Sequence, residues 1–196
     1  MRRASPSSTL CRSLAAAVAF VAAAAAAAPF TLDTGHTRVL FAVPHYDLSL
    51  VRGRFTKVAG TVEFDAERKA GRIDVRVDPG IVDTGNRALD QILRGNQYLD
   101  AATYGDVRYA GERFVFDGER LAGIDGTLVL HGVARPLRLT AQRFTCKEVA
   151  AGIVTRYVCG GEFRATLRRS DYGIVQMLPD VGDQVELTID VEATRD

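Results

Sequence analysis

The sequence predicts an all-β fold, an antiparallel barrel of about eight strands carrying one short helix. The first reason is alternation. In Arg72-Ile73-Asp74-Val75-Arg76-Val77-Asp78 every second residue is apolar and its neighbours are charged. Likewise Val185, Leu187, Ile189 and Val191 alternate with Glu186, Thr188, Asp190 and Glu192. A period of two means a strand with one buried and one wet face. The second reason is punctuation: turn-forming clusters at 65–71, 117–119, 131–135 and 181–183 separate the alternating stretches. The third is a single exception. Between Asn86 and Gly95, Leu89, Ile92 and Leu93 fall at helical spacing, and Gly95 is a stop signal.

In chain order, residues 1–28 combine Arg2, Arg3 and Arg12, no acids, and an alanine-rich apolar run from Leu14 to Ala28. That is the layout of a cleaved secretory signal, with the cleavage site within 22–28, and it predicts export to the periplasm. The Arg2–Arg3 pair leaves the export route open. Strands follow at 37–43, 54–65 and 72–78, then the helix at 86–95. Further strands lie at 107–109, 113–116, 121–130, 136–144, 154–167 and 184–192. No repeat or linker divides residues 29–196, so they form one domain, and closing the sheet into a barrel removes its exposed edges. Gly60 and Gly126 sit on apolar faces, where they either make room inside the barrel or mark bends in the sheet.

Composition excludes several classes. The chain has 25 Lys+Arg against 24 Asp+Glu, and without the signal its net charge is about −2. There is no basic excess for a nucleic-acid partner, and no mature stretch of 18 apolar residues for a spanning helix. Cys11 precedes the apolar run instead of ending it, which argues against lipid attachment. Cys146 and Cys159 remain, in a compartment where such pairs bond, and they are expected to form a disulfide. Sequence leaves a monomer and a homodimer both open.

The chemistry-bearing residues do not assemble into a catalytic pattern. His36, His45 and His131 lack metal-ligand spacing, so no metal is expected. Ser170-Asp171 has no nucleophile elbow around it. Asp90 and Asp100 read as capping and turn residues. No enzyme activity and no cofactor are expected. Arg87, Asp90 and Arg94 share one side of the helix. They are either a surface salt-bridge row or a polar rim at a barrel mouth.

Four segments, in order, carry a resemblance. They are Asp33-Thr34-Gly35-His36-Thr37 through Phe41-Ala42-Val43-Pro44-His45; Asp83-Thr84-Gly85-Asn86-Arg87-Ala88-Leu89-Asp90 through Leu93-Arg94 and Tyr98-Leu99-Asp100; Ile124 through Pro136, with His131-Gly132; and Arg169-Ser170-Asp171-Tyr172-Gly173-Ile174 with 183–193. Together they resemble the YceI-like family of periplasmic polyisoprenoid-binding proteins. The resemblance implies a lipocalin-like extended barrel with an apolar tunnel. Its implied ligand is a long-chain isoprenoid lipid of the polyprenyl pyrophosphate or isoprenoid quinone type, with a membrane as transient lipid donor. Departures from the family pattern are Gln91 in the helix, Tyr104-Gly105 after it, and Thr37 after the first histidine.

Strand parity then nominates the tunnel lining: Phe41, Val43, Val58, Val62, Phe64, Ile73, Val75, Leu128, Leu130, Phe163, Leu187 and Ile189. Leu89, Ile92, Tyr172 and Met177 join Arg87, Asp90 and Arg94 as candidates for the mouth and headgroup contacts. An exported hydrolase would need an acid–base constellation that the sequence does not offer; two further rivals stand beside this reading. One is a barrel packed solid and acting as an interaction module. The other is a small outer-membrane barrel, which the absence of Trp and the charged wet faces oppose.

Overall fold

In the computed structural model of the chain, residues 29–195 are described; the signal expected at 1–28 lies outside them. Eleven strands form one sheet: β1 (Pro29–Leu32), β2 (Arg38–His45), β3 (Ser49–Phe55), β4 (Val58–Asp65), β5 (Ala70–Val77), β6 (Val82–Asp83), β7 (Val107–Asp117), β8 (Arg120–Leu130), β9 (Val133–Ala151), β10 (Val154–Arg168) and β11 (Gln184–Arg195). Two helices, α1 (Arg87–Arg94) and α2 (Ala101–Tyr104), lie between β6 and β7.

The pairing order runs β1-β4-β5-β7-β8-β9-β10-β11, and β11 returns to β1, so eight antiparallel strands close a barrel. Strand β11 serves two neighbours in turn. Its first half pairs with β2 from Glu186 to Asp190, and its end pairs with β1 from Ala193 to Arg195. Buried Thr37 repairs the gap between them. Its Oγ1 donates to the Glu192 carbonyl (3.2 Å) and accepts from the Glu192 amide (3.3 Å). One hydroxyl thus stands in for a missing rung of the ladder.

The boundaries differ from the sequence reading for identifiable reasons. The stretch 54–65 is the end of β3 and all of β4, because the chain breaks at Thr56-Lys57. The two short strands at 107–109 and 113–116 are one strand, β7. A bulge between Gly111 and Arg113 interrupts the alternation without ending the pairing. The sequence reading has no counterpart for β1, most of β3, β6 or the short α2. The expected helix is α1, with Asn86 as N-cap accepting from the Ala88 and Leu89 amides and Gly95 following it.

The two barrel ends are unlike. The turns after β5, β8 and β10, both helices and the β2–β3 hairpin gather at one end, called the mouth below. At the other end Phe64 packs on the rings of Phe114 (5.8 Å), Phe116 (6.4 Å) and Phe144 (5.1 Å). The Cys146–Cys159 disulfide joins directly opposed residues of β9 and β10 and belongs to this same cluster. The outward faces carry ion pairs such as Arg108–Asp74 (2.6 Å) and Arg138–Asp125 (3.1 Å). Such a face is not the continuous apolar band of a membrane-spanning barrel.

Candidate functional site

The barrel interior holds a cavity of about 510 Å³ that opens at the mouth. That is within the ordinary range for small-molecule sites, about 300–1,000 Å³. Its walls come from strand residues of one parity: Phe41 and Val43 on β2, Val58 on β4, Ile73 and Val75 on β5, Leu128 and Leu130 on β8, Phe163 on β10, Leu187 and Ile189 on β11. Of the nominated lining only Val62 and Phe64 stand outside it. Both have the inward parity, yet they lie toward the closed end and belong to the aromatic cluster there. Parity tells inside from outside but not height along the barrel axis.

The glycines do not make the room. A Cβ at Gly126 would meet the ring of Tyr109 at 2.6 Å, so that ring already occupies the space. The buried Tyr109 hydroxyl contacts the carbonyls of Ile124 (3.0 Å) and Leu137 (3.2 Å), and burial pushes its pKa up. Gly60, at φ +142°, allows close approach to the β5 backbone. Both are packing devices.

The mouth candidates separate. Leu89, Ile92 and Met177 line the cavity entrance. Asp90 does not face a ligand: it is buried and accepts from the Thr84 amide (2.8 Å) and hydroxyl (2.7 Å). Arg94 reaches back to the Val82 carbonyl (3.3 Å), and Arg87 is exposed. No ion pair joins these three residues among the described residues; Asp90 and Arg94 instead tie the helix to the segment before it. Tyr172 is fully buried in the core, and its carbonyl faces His131 Nδ1 at 3.0 Å.

Sequence reading missed Arg169. It lines the cavity at the mouth and is only 5% exposed. Its Nε, Nη1 and Nη2 donate to the carbonyls of Gly182 (2.9 Å), Ile174 (3.2 Å) and Val181 (2.7 Å). Burial lowers its pKa, opposed by Tyr98 and Asp183. The sequence signal was slight: an arginine ahead of Ser170-Asp171, with an apolar tract after it. The fold also brings together Asp33, His36 and Glu192, whose ligand atoms lie within 4.8 Å of one another. Asp33 already accepts from the Gly35 amide (2.8 Å) and contacts His36 Nδ1 (2.9 Å), so this group works as a staple where β1 gives way to β2.

With this geometry in place, the relatives fall into one group. Residues 30–193 match the YceI-like domain. The chain belongs to the YceI-like family. It is 30% identical over 179 residues to a UPF0312 protein of Shewanella oneidensis, covering 90% of this chain and 92% of that one. A UPF0312 protein of Vibrio campbellii matches at 30% over 119 residues, 59% of this chain, and the match spans 63% of that protein. Among solved structures, Burkholderia cenocepacia BcnA superposes with a TM-score of 0.68 at 19% identity, covering 83% of this chain and 99% of BcnA. A polyisoprenoid-binding domain from Saccharophagus degradans superposes at 0.61 with 18% identity, covering 85% and 98%. At these identities the superpositions establish the shared barrel fold of this YceI-like chain.

Proposed function

We propose that this YceI-like barrel is a non-catalytic binding protein, acting in the periplasm after signal removal. It holds a long-chain isoprenoid lipid, of the polyprenyl pyrophosphate or quinone type, in the interior cavity for carriage or sequestration. The observation that carries the reading is the cavity itself: a packed barrel needs none, whereas this one keeps about 510 Å³ walled by Leu, Ile, Val and Phe and open at one end. The polyisoprenoid-binding relative supports the choice of ligand class.

The energetics favour exchange over permanent residence. Burying a long chain from water would formally yield about 0.8 kcal/mol per CH₂. Such a lipid starts in a bilayer, however, where its chain is already out of water. The apolar term then nearly cancels, and affinity rests on fit and headgroup. The mouth suits contact with a lipid donor surface: Ile92 and Met177, half exposed, line the cavity entrance, and Val175 and Leu48 are exposed on the loops at the same end.

The test is native mass spectrometry of protein purified from the periplasm, with extraction and identification of any bound lipid, then incubation with polyprenyl-loaded phosphatidylcholine vesicles. A stoichiometric long-chain adduct that exchanges with vesicles is expected. A bare protein mass with no uptake overturns the reading.

A further inference from the structure

The cavity wall carries one guanidinium that its surroundings leave electrostatically unfinished. Arg169 is buried, and buried charges are normally paired with an opposite charge. No carboxylate lies within ion-pair distance of it among the described residues. The neighbouring acid, Asp183, is engaged elsewhere, by Arg168 Nε (2.9 Å) and by the Ser170 amide (2.9 Å) and hydroxyl (2.8 Å). Three neutral carbonyls take three of the five N–H groups of a guanidinium, which leaves two free. Tyr98 lines the same cavity, and its hydroxyl makes no hydrogen bond among the described residues. The rest of the wall is almost wholly apolar, apart from Thr37, His45 and Tyr109.

A staple for the 174–182 loop would account for the three carbonyl bonds. It does not account for a positive charge placed against an apolar cavity with no carboxylate bonded to it, Asp183 acting on it only through space. That arrangement is worth most when an anion arrives, because a charge-assisted hydrogen bond is about twice as strong as a neutral one and gains further in a site that excludes water. Volume sets the partner's size. At ~30 Å³ per atom, the share of a water molecule in the liquid, the cavity takes on the order of 17 non-hydrogen atoms. A twenty-carbon chain is of that order and slightly longer, so it fills the cavity and leaves its headgroup at the mouth.

We propose that Arg169, with Tyr98 beside it, is the headgroup selector of the cavity: it draws an anionic oxygen-acid headgroup, phosphate or carboxylate, inside the mouth and discriminates against neutral headgroups on the same chain. This rests on the lipid-binding reading and narrows it. An isoprenoid alcohol would leave the charge uncompensated, and a quinone would offer only neutral carbonyl oxygens.

The experiment compares geranylgeranyl pyrophosphate with geranylgeraniol by competitive displacement of a fluorescent fatty-chain probe. The proteins are wild type, Arg169→Gln, Arg169→Lys and Tyr98→Phe, each checked for folding by thermal unfolding. Wild type is expected to prefer the pyrophosphate by about tenfold or more. R169Q should lose that preference while still binding the alcohol, R169K should keep most of it, and Y98F should reduce it. Equal affinity of wild type for both ligands overturns the selector and leaves the lipid-binding reading standing. Binding of neither ligand overturns both. An undiminished preference in folded R169Q also overturns the selector. If R169Q does not fold, the wild-type ratio and Y98F, whose hydroxyl has no partner to lose, decide the matter.

Discussion

Asp90 and Thr84 illustrate how one buried carboxylate fixes a helix to a barrel. Asp90 accepts both the amide and the hydroxyl of Thr84, holding α1 against the strand end that precedes it. Leaving those donors without a partner in a buried site costs about 1–3 kcal/mol. Asp90→Ala is therefore expected to lower unfolding free energy by that amount in urea titration, with Thr84→Val losing less. A pair of indistinguishable denaturation curves for wild type and D90A would refute the tie. At the β1–β2 break, the hydrogen bond to Asp33, helped by the charges of Asp33 and Glu192, raises the His36 pKa above 6.5, while the same bond lowers the Asp33 pKa below 3.8. The histidine's share of stability is complete below pH 6.5 and is lost as pH rises through its raised folded value. The aspartate's share is present above pH 3.8 and is lost as pH falls through its lowered one. In Asp33→Asn the alkaline decline should flatten, as read from thermal midpoints across pH 6–9; a wild-type slope in that variant would show that the pair is not its source.

At the level of elements, the closed end of the barrel is held by a disulfide and clustered rings, and the mouth by hydrogen bonds from backbone and side chains. The Cys146–Cys159 bond spans directly opposed residues of the long β9–β10 hairpin, at a sequence separation of 13. In the chain-entropy account a loop of that size is worth about 3 kcal/mol. The double Cys→Ala variant should lose about that much in urea, measured against oxidised wild type. Next to it, Phe64 is the ring on which three other phenylalanines converge. Phe64→Ala is expected to cost about 3–5 kcal/mol and to join the cavity to the closed end, so that longer chains are accepted; a crystal structure of the variant with its chain-length profile checks both. The mouth has no such plug. Backbone bonds such as Tyr46 N to Asp180 O (2.6 Å) and Gly182 N to Pro44 O (2.8 Å) fasten the 175–182 loop to the β2–β3 hairpin around the opening.

For the whole molecule, strand parity and barrel closure divide the evidence between them. Leu187 and Val62 share the inward face, but only Leu187 lines the cavity; Val62 sits in the cluster beyond it. Leu187→Trp should therefore abolish uptake of a twenty-carbon lipid, and Val62→Trp should spare it, as followed by adduct mass in native spectrometry. Equal loss in both folded variants would mean that the cavity extends past its closed end. The inward residues of β2, β5, β8 and β11 were legible because alternation is written along one dimension, as were α1 between Asn86 and Gly95 and the opposed cysteines. The extent of β7 was not, since a bulge at Gly111 breaks the period while the ladder continues. Nor was the fate of Asp90, whose partner Thr84 is six residues away and is reached only through the turn before α1. Arg169 stayed hidden because nothing local marks an arginine whose acceptors are three carbonyls of the following loop. By itself, then, the sequence determined the dry faces of β2, β5, β8 and β11, several of the turns and that the sheet is antiparallel. Only the tertiary structure decided that the dry faces enclose empty space, because shear and closure set the barrel's radius and the height of each residue within it. The same alternating Leu, Ile and Val side chains can fill a narrow barrel or wall a wider one.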